Sequence, residues 1–266
     1  FEGEMGVIVK EVEIPEELKA DAEMYRAELV ERVVEHDDVL MEAFLAGQEP
    51  TVEDLKATLR KAVIANEIFP VLTGSSLKNI GVQLVLDAVV DYLPAPTDLP
   101  PIKGINPKDD SDVTRLPEDS EPFCALAFKL QTDPFVGQLT FFRVYSGVVK
   151  SGSYIYNSTT GEKERLGRIV RLQADKRTEI EEVYAGEIAA GVGLKEVKTS
   201  HTLCDEANPI ILEQIVFPEP VVAMRVEPKT KGDQERMGTA LKKLADEDPT
   251  FKISTDEETM ETIIAG

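Results

Sequence analysis

The chain changes its apolar period partway along, and no single layer of structure accommodates both halves. Up to residue 92, apolar side chains recur every three or four positions, the spacing of one helix face. Between Asp98 and Pro122 proline, aspartate and serine replace any apolar period, and beyond Phe123 short β-rich runs alternate with glycine and proline turns. A helix buries a stripe of period 3.6 and a strand a face of period 2. The two textures therefore specify separate cores, and 266 residues is a length suited to about two domains. The expected fold class is a multi-domain α+β/β chain.

In the first half, residues 14 to about 65 read as helices. Leu18, Ala22, Tyr25, Leu29 and Val33 make one stripe, and Val52, Leu55, Leu59 and Val63 another. The second stripe follows Thr51-Val52-Glu53-Asp54, a capping-box pattern behind Pro50. A short apolar strand is expected over 68–72, then a helix over 79–92 with Leu84, Val85, Ala88 and Val89 inward, stopped by Pro94 and Pro96. Strand, tight polar loop and helix in this order resemble the end of an α/β nucleotide-binding sheet. Residues 98–122 read as a linker.

In the second half, strands are expected over 123–130, 137–145, 153–156, 164–172, 187–192 and 210–212. Turn signals separate them at Asp133-Pro134, Ser146-Gly147, Ser151-Gly152, Thr160-Gly161, Ala185-Gly186 and Asn208-Pro209. Many short strands with glycine turns point to a closed antiparallel barrel, which leaves no strand edge exposed. After Phe217-Pro218-Glu219-Pro220 come a strand over 221–226, a helix over 233–245 with Met237, Leu241 and Leu244 inward, and strands over 251–254 and 262–265. This β-α-β-β order is the first two thirds of a ferredoxin-like unit.

A phosphate-cradling loop needs Gly-x-x-x-x-Gly-Lys-[Ser/Thr], and the sequence contains no Gly-Lys pair. Asn106-Pro107-Lys108-Asp109 has the wrong spacing for a guanine-reading loop and reads as a solvated turn. Cys124 and Cys204 lie far apart without Cys-x-x-Cys spacing and read as two reduced thiols. His36 and His201 lack ligand-type neighbours, so surface positions are expected and no metal site. There is no signal-like or membrane-length apolar run. The net charge of −21 opposes binding to naked nucleic acid, DNA included, because phosphate contacts want Lys and Arg. Lys163, Arg165, Arg168, Arg171, Lys176 and Arg177 nevertheless cluster in one segment. Such a stripe fits either docking at one spot on a large ribonucleoprotein or the charged outer face of a strand.

Val226-Glu227-Pro228-Lys229-Thr230-Lys231-Gly232-Asp233-Gln234-Glu235, followed by Leu244-Ala245-Asp246-Glu247-Asp248-Pro249-Thr250-Phe251, closely resembles the opening of the third domain of elongation factor G, a translational GTPase. Thr132-Asp133-Pro134-Phe135-Val136-Gly137, with Arg143-Val144-Tyr145-Ser146-Gly147 and Ser151-Gly152, is similar to the barrel domain that translational GTPases share. Gly74-Ser75-Ser76-Leu77-Lys78-Asn79, with the helix through Leu86-Asp87-Ala88-Val89-Val90-Asp91-Tyr92, resembles the family's last guanine-contacting loop and the helix behind it. Residues 1 to about 66 resemble, more loosely, the insertion that elongation factor G carries in its GTPase domain. Two departures stand out. Ser76 replaces the family's usual Ala, and Thr199-Ser200-His201-Thr202-Leu203 replaces Thr-Gly-Asp-Thr-Leu, which leaves the conformation of that turn open.

The resemblance implies a middle fragment: 1–103 the C-terminal part of an α/β P-loop GTPase domain with its helical insertion, 104–122 a linker, 123–217 the translation-factor β-barrel (domain II), and 218–266 a truncated ferredoxin-like domain III. It implies a parent that hydrolyses GTP on the ribosome and moves tRNA and mRNA by one codon, in the cytoplasm, with GTP or GDP and Mg²⁺ as cofactors. The phosphate loop, both switch regions and the Asn-Lys-x-Asp loop would precede Phe1, so no catalytic residue falls in this chain. No nucleotide is expected on these residues alone. Gly74, Ser75, Ser76 and Leu77 would border guanine, and Lys163, Arg165, Arg168 and Arg171 would touch the ribosome, its RNA and its proteins. The tRNA–mRNA complex would be reached through distal domains, and no membrane or DNA partner is implied. Two alternatives stay open: a sibling translational GTPase acting in ribosome protection, recycling or release, and a non-enzymatic interaction module built of helices and a barrel.

Overall fold

The structure is a computed structural model that describes residues 3, 6, 8–133, 136–174 and 176–266, with Lys231 described by its backbone alone. The chain divides into two compact units, Phe1–Asp98 and Leu99–Gly266.

The first unit holds α1 (Lys19–Val34), α2 (Asp38–Leu45), α3 (Val52–Ile64) and α4 (Val82–Tyr92). The capping box forms as the sequence specifies: Asp54 N–H donates to Thr51 Oγ1 at 3.1 Å and Thr51 N–H to Asp54 Oδ2 at 3.3 Å. Asp37 caps α2 in the same way, accepting from Leu40 N–H at 3.1 Å. That bond is the main reason its carboxyl is held below the ordinary range. Val30, Val33 and Val34 pack on Leu55, with Leu40, Met41, Phe44 and Leu59 around them.

Four expectations for this unit need correction. Of the stripe assigned to α1 only Val33 is buried, and Leu18, Tyr25 and Leu29 are exposed, because α2 and α3 pack against the last turns of α1 alone. No strand forms over 68–72: the segment has no ladder partner among the described residues, and Phe69 and Val71 stand in solvent. An apolar run becomes a strand only when a neighbour takes up its backbone hydrogen bonds. The last helix starts at Val82 rather than 79, since Asn79 and Gly81 adopt φ of 53° and 78°, outside the helical region.

The faces expected to be buried on α4 are also open, with Leu84, Val85 and Val89 exposed. Polar contacts with α3 hold it instead. Arg60 Nη1 donates to the carbonyls of Val90, Asp91 and Leu93 at 3.3, 2.9 and 3.2 Å, while Nη2 meets Asp98 at 2.6 Å. A guanidinium on the orphan carbonyls of a helix C-terminus satisfies them and opposes the helix dipole. Lys56 adds a 2.7 Å pair with Asp91.

The second unit is mostly antiparallel sheet. Its strands are β1 (Ile102–Ile105), β2 (Asp112–Arg115), β3 (Cys124–Asp133), β4 (Gly137–Ser146), β5 (Val149–Lys150), β6 (Tyr154–Asn157), β7 (Glu162–Arg165), β8 (Arg168–Gln173) and β9 (Lys176–Ile180). They continue with β10 (Glu182–Val183), β11 (Ile188–Val192), β12 (Thr202–Cys204), β13 (Ile211–Leu212), β14 (Ala223–Val226), β15 (Lys252–Thr255) and β16 (Thr262–Ala265), with α5 (Gln234–Glu247) after β14. Eight strands pair in the order β7-β6-β12-β3-β4-β11-β8-β9. β7 stands at one end of this order, and the chain runs from it through Leu166 and Gly167 into β8, next to the other end. The hydrogen bonding carries across that joint, with Leu166 N–H on Ser153 O beside β6 at 3.0 Å and Gly167 N–H on Val192 O of β11 at 3.1 Å, so the sheet bends round into a barrel. The break at Leu166 and Gly167 divides the single run expected over 164–172. Leu166 turns into the core, where it joins Phe142, Val144, Ile155, Ile169, Val183 and Leu203. The turn expected at Asp133-Pro134 falls partly on Pro134 and Phe135, outside the described residues.

The linker expected over 104–122 is a correction of a different kind. β1 and β2 form a hairpin whose turn is the Asn106 segment, with Asn106 Oδ1 accepting Lys108 N–H at 3.0 Å. The hairpin pairs through β1 with β13. Gly104 permits this approach, because a Cβ there would lie 2.5 Å from the Ile211 carbonyl oxygen. Ile102 and Val113 pack over Cys124, Cys204, Ile210 and Leu212 on the outside of the barrel. Proline and aspartate mark the turns of this segment correctly and hide the two short strands between them.

The last segment has the expected β-α-β-β order, with β16 between β14 and β15. Met237 and Leu241 of α5 are half-buried, whereas Leu244, expected inward, is exposed. Thr132 N–H at the end of β3 donates to Glu247 Oε1 of α5 at 2.6 Å.

Candidate functional site

The segment from Gly74 to Gly81 is a closed loop. Ser75 and Ile80 exchange two backbone bonds of 2.9 Å, and inside them Ser76–Lys78 forms one 3-10 turn, with Lys78 N–H on Ser75 O and Asn79 N–H on Ser76 O, both at 3.1 Å. Gly74 allows the closure, since a Cβ there would meet Ile80 O at 2.6 Å. The Ser75 N–H is therefore committed within the loop. The N–H groups of Ser76 and Leu77 begin the turn, where a helix leaves donors unused, and among the described residues they find no acceptor. The Leu77 side chain projects into solvent. Of the four residues singled out in this loop, Gly74 and Ser75 shape it, while Ser76 and Leu77 present donors that match a carbonyl oxygen such as that of a purine edge. The sequence has no Gly-Lys pair from which a phosphate-cradling loop could be built beside them.

The basic cluster is less uniform than its spacing suggests. Arg165 lies opposite Tyr154 and Lys163 opposite Tyr156, while Glu164 lies opposite the buried Ile155, so Lys163 and Arg165 share the outer face of the barrel. On β8, Ile169 points into the core, so alternation places Arg168 on the outer face and Arg171 on the face of Ile169, where its side chain remains exposed. The stripe is thus split between two faces. Four of its members are already paired, three of them in exposed pairs: Lys163 with Glu206 at 2.5 Å, Arg168 with Glu179 at 2.8 Å and Arg171 with Glu187 at 2.6 Å. Arg177 pairs with the buried Asp133. Arg165 and Lys176 meet no carboxylate among the described residues. Exposed pairs of this kind contribute about 0–1 kcal/mol, so a phosphate could displace the carboxylate at small cost.

Sequence reasoning missed two further cations. Lys129 Nζ lies 5.8 Å from the Phe141 ring centroid, and the Arg143 guanidinium 5.1 Å from that of Tyr145. Neither meets a carboxylate among the described residues. Strand alternation along β4 contained the signal, since Phe141, Arg143 and Tyr145 are spaced by two.

At the turn before β12, Ser200 takes φ of 77° in the place where the family sequence has Gly. Its N–H reaches Ala127 O at 2.7 Å, and its Oγ accepts from Ile215 N–H at 2.7 Å. This chain holds a left-handed residue there without glycine, at some backbone cost. His201 beside it is half-buried rather than fully on the surface. Its Nδ1 accepts from Lys198 N–H at 3.2 Å and lies 3.0 Å from Asn157 Nδ2. His36 is likewise partly covered, with Nδ1 2.9 Å from Glu67 Oε2.

A closed barrel followed by a β-α-β-β unit is an arrangement of translation factors, and comparison with known proteins agrees. Residues 137–204 match the family model of elongation factor Tu domain 2, and residues 217–266 that of elongation factor G, domain III. The two matches follow one another along a single chain and together support its likeness to a fragment of elongation factor G and the translational GTPases. A crystal structure of a protein from Thermus thermophilus is similar over 97% of this chain, with 30% identity and a TM-score of 0.75. The chain spans 36% of the length of that protein. Among the described residues no helix is long and apolar enough to cross a membrane.

Proposed function

We propose that the chain is the middle of a cytoplasmic ribosomal translocase, a GTP hydrolase that moves tRNA and mRNA during protein synthesis. The observation that carries this reading is the succession of a Tu-type second domain and a G-type third domain. In it, residues 1–103 belong to the GTPase domain, Ser76 and Leu77 offer their N–H groups to the guanine edge, and the barrel contacts ribosomal RNA and proteins through Lys163, Arg165, Arg168 and Arg171. The exchangeable ion pairs of the barrel supply phosphate-seeking cations, and the unused donors of the loop supply purine selectivity. Bound GTP and Mg²⁺ would bring the phosphoryl chemistry, in residues outside this chain. These 266 residues are expected to bind no nucleotide on their own, since charge-assisted phosphate contacts supply most of the affinity.

The test uses the protein extended by its upstream GTPase sequence. Ser76→Pro removes one N–H at a first-turn position that accepts proline, and Ser75 before it already has extended backbone. Titration calorimetry should give roughly a 5–10-fold weaker GDP affinity, the worth of one hydrogen bond. In the same protein, Lys163→Ala with Arg165→Ala should weaken ribosome association and flatten its salt dependence by about one charge per lost phosphate contact. Unchanged GDP affinity would remove the loop from the site, and an unchanged salt slope would remove the two cations.

A further inference from the structure

Cys124 and Cys204 are distant in sequence and directly opposite each other in space. They are Cα partners in the antiparallel pairing of β3 with β12. The backbone bonds around them identify the kind of pair they make. Ala127 N–H donates to His201 O at 2.9 Å, and Asp205 N–H to Phe123 O at 3.0 Å. Both lie in the same register, and hydrogen-bonded and non-hydrogen-bonded pairs alternate along an antiparallel ladder. Counting inward from either bond makes Leu203 with Ala125 a hydrogen-bonded pair and Cys204 with Cys124 a non-hydrogen-bonded one. Such pairs bring their Cα atoms to about 4.5 Å with side chains on the same face, within the roughly 4.4–6.8 Å window that a disulfide spans. Both thiols are free, and both belong to the cluster beneath the β1–β2 hairpin, 0% and 1% exposed.

We propose that Cys124 and Cys204 are a latent cross-strand disulfide, formed by exchange with a small-molecule disulfide when the β1–β2 hairpin lifts off the barrel. The Cys204 thiolate attacks one sulfur of the reagent and releases one thiol. The Cys124 thiolate then attacks Cys204 Sγ in the mixed disulfide and releases the second thiol. The chain loses two protons and two electrons, and one reagent disulfide becomes two thiols. In the closed barrel burial raises both thiols and pushes Cys124 up to about 12; Cys204 goes first because hydrogen bonds from the Ile210 backbone and Ser158 favour its thiolate, and Cys124 has no such aid. With the hairpin in place neither sulfur has access to solvent, so the closed barrel resists oxidation. Opening of the cover sets the rate. Once formed, the bond would be shielded from reductant by the same cover.

The test exposes the folded chain to glutathione disulfide, alkylates remaining thiols under denaturing conditions and reads the intact mass. The expected product takes up no alkylating reagent, has lost two hydrogens, and yields a linked peptide pair containing Cys124 and Cys204 in a non-reducing digest. Sub-denaturing urea should accelerate its formation. Gly104→Val, whose Cβ would meet the Ile211 carbonyl and Ile210 side chain, should raise the rate roughly tenfold or more. The urea series on the unaltered chain decides the matter if that variant fails to fold. Persistent glutathione adducts without the internal link, disulfide-linked dimers as the main product, or two alkylated thiols at every urea concentration below unfolding would each overturn the proposal. A rate unaffected by urea and by Gly104→Val would overturn the gating by the hairpin.

Discussion

The barrel and the helical unit are built from chemically similar residues and differ in how far each completes itself. Among the described residues, the barrel interior gathers 14 buried side chains around Phe142 and Ile169, while the main cluster of the helical unit has 4. The barrel closes, so every long strand has neighbours and each inward side chain meets another across the interior. Helices cannot close in this way. They bury a stripe only where another element supplies a complementary one. The exposed Phe69, Val71, Leu84, Val85 and Val89 are that kind of unmatched surface. Apolar content alone therefore says little about burial; topology decides whether a partner exists.

Three variants put that contrast at risk. The greatest loss is expected for Phe142→Ala, a 1% exposed side chain whose truncation should cost about 3–5 kcal/mol. Hydrogen exchange should register the loss in β3, β4 and β11 and leave α1 and α3 unchanged. If protection falls equally in both units, they unfold as one body and the contrast fails.

A smaller and opposite localisation is expected for Thr51→Ala. Losing the capping box should destabilise the helical unit by about 1 kcal/mol, visible as faster exchange in α3 and no change in the barrel. An equal response in the barrel strands would again join the two units.

The mildest effect is on acid sensitivity. Burial, with the Lys198 charge behind it, holds the His201 imidazole below its ordinary 6.5. The unfolded chain therefore binds a proton before the folded one does. Stability from this source is complete above about pH 6.5 and is lost as pH falls through the folded value. Thermal melts between pH 7.5 and 5.5 should decline for the parent and decline less for His201→Gln, with the difference confined to the barrel. Parallel slopes would show that His201 does not report on the barrel.

Local chemistry is legible in the order of residues. Thr51 and Asp54 cap α3 from three residues apart, and the Asn106 turn forms where its side chain can reach Lys108 N–H. The barrel is legible too, because period 2 and glycine turns repeat along its strands. The candidate loop can be located from Gly74 to Asn79, but not which of its donors remain unused. That depends on Ile80 returning to take the Ser75 N–H. The basic cluster looks like one stripe because a sequence orders neighbours without assigning faces, and its carboxylate partners Glu179, Glu187 and Glu206 come from other segments.

Where turns, caps and strands begin follows from the amino-acid order alone, since those interactions span a few residues and depend on side-chain type. Tertiary contacts were needed to settle which apolar faces are buried, that the proline-rich segment is a cover rather than a tether, and that Cys124 faces Cys204. Each of these requires two stretches of chain to meet, and register, handedness and closure govern that meeting. A one-residue slip of β12 against β3 would turn Cys204 to the other face, with no change in composition or period.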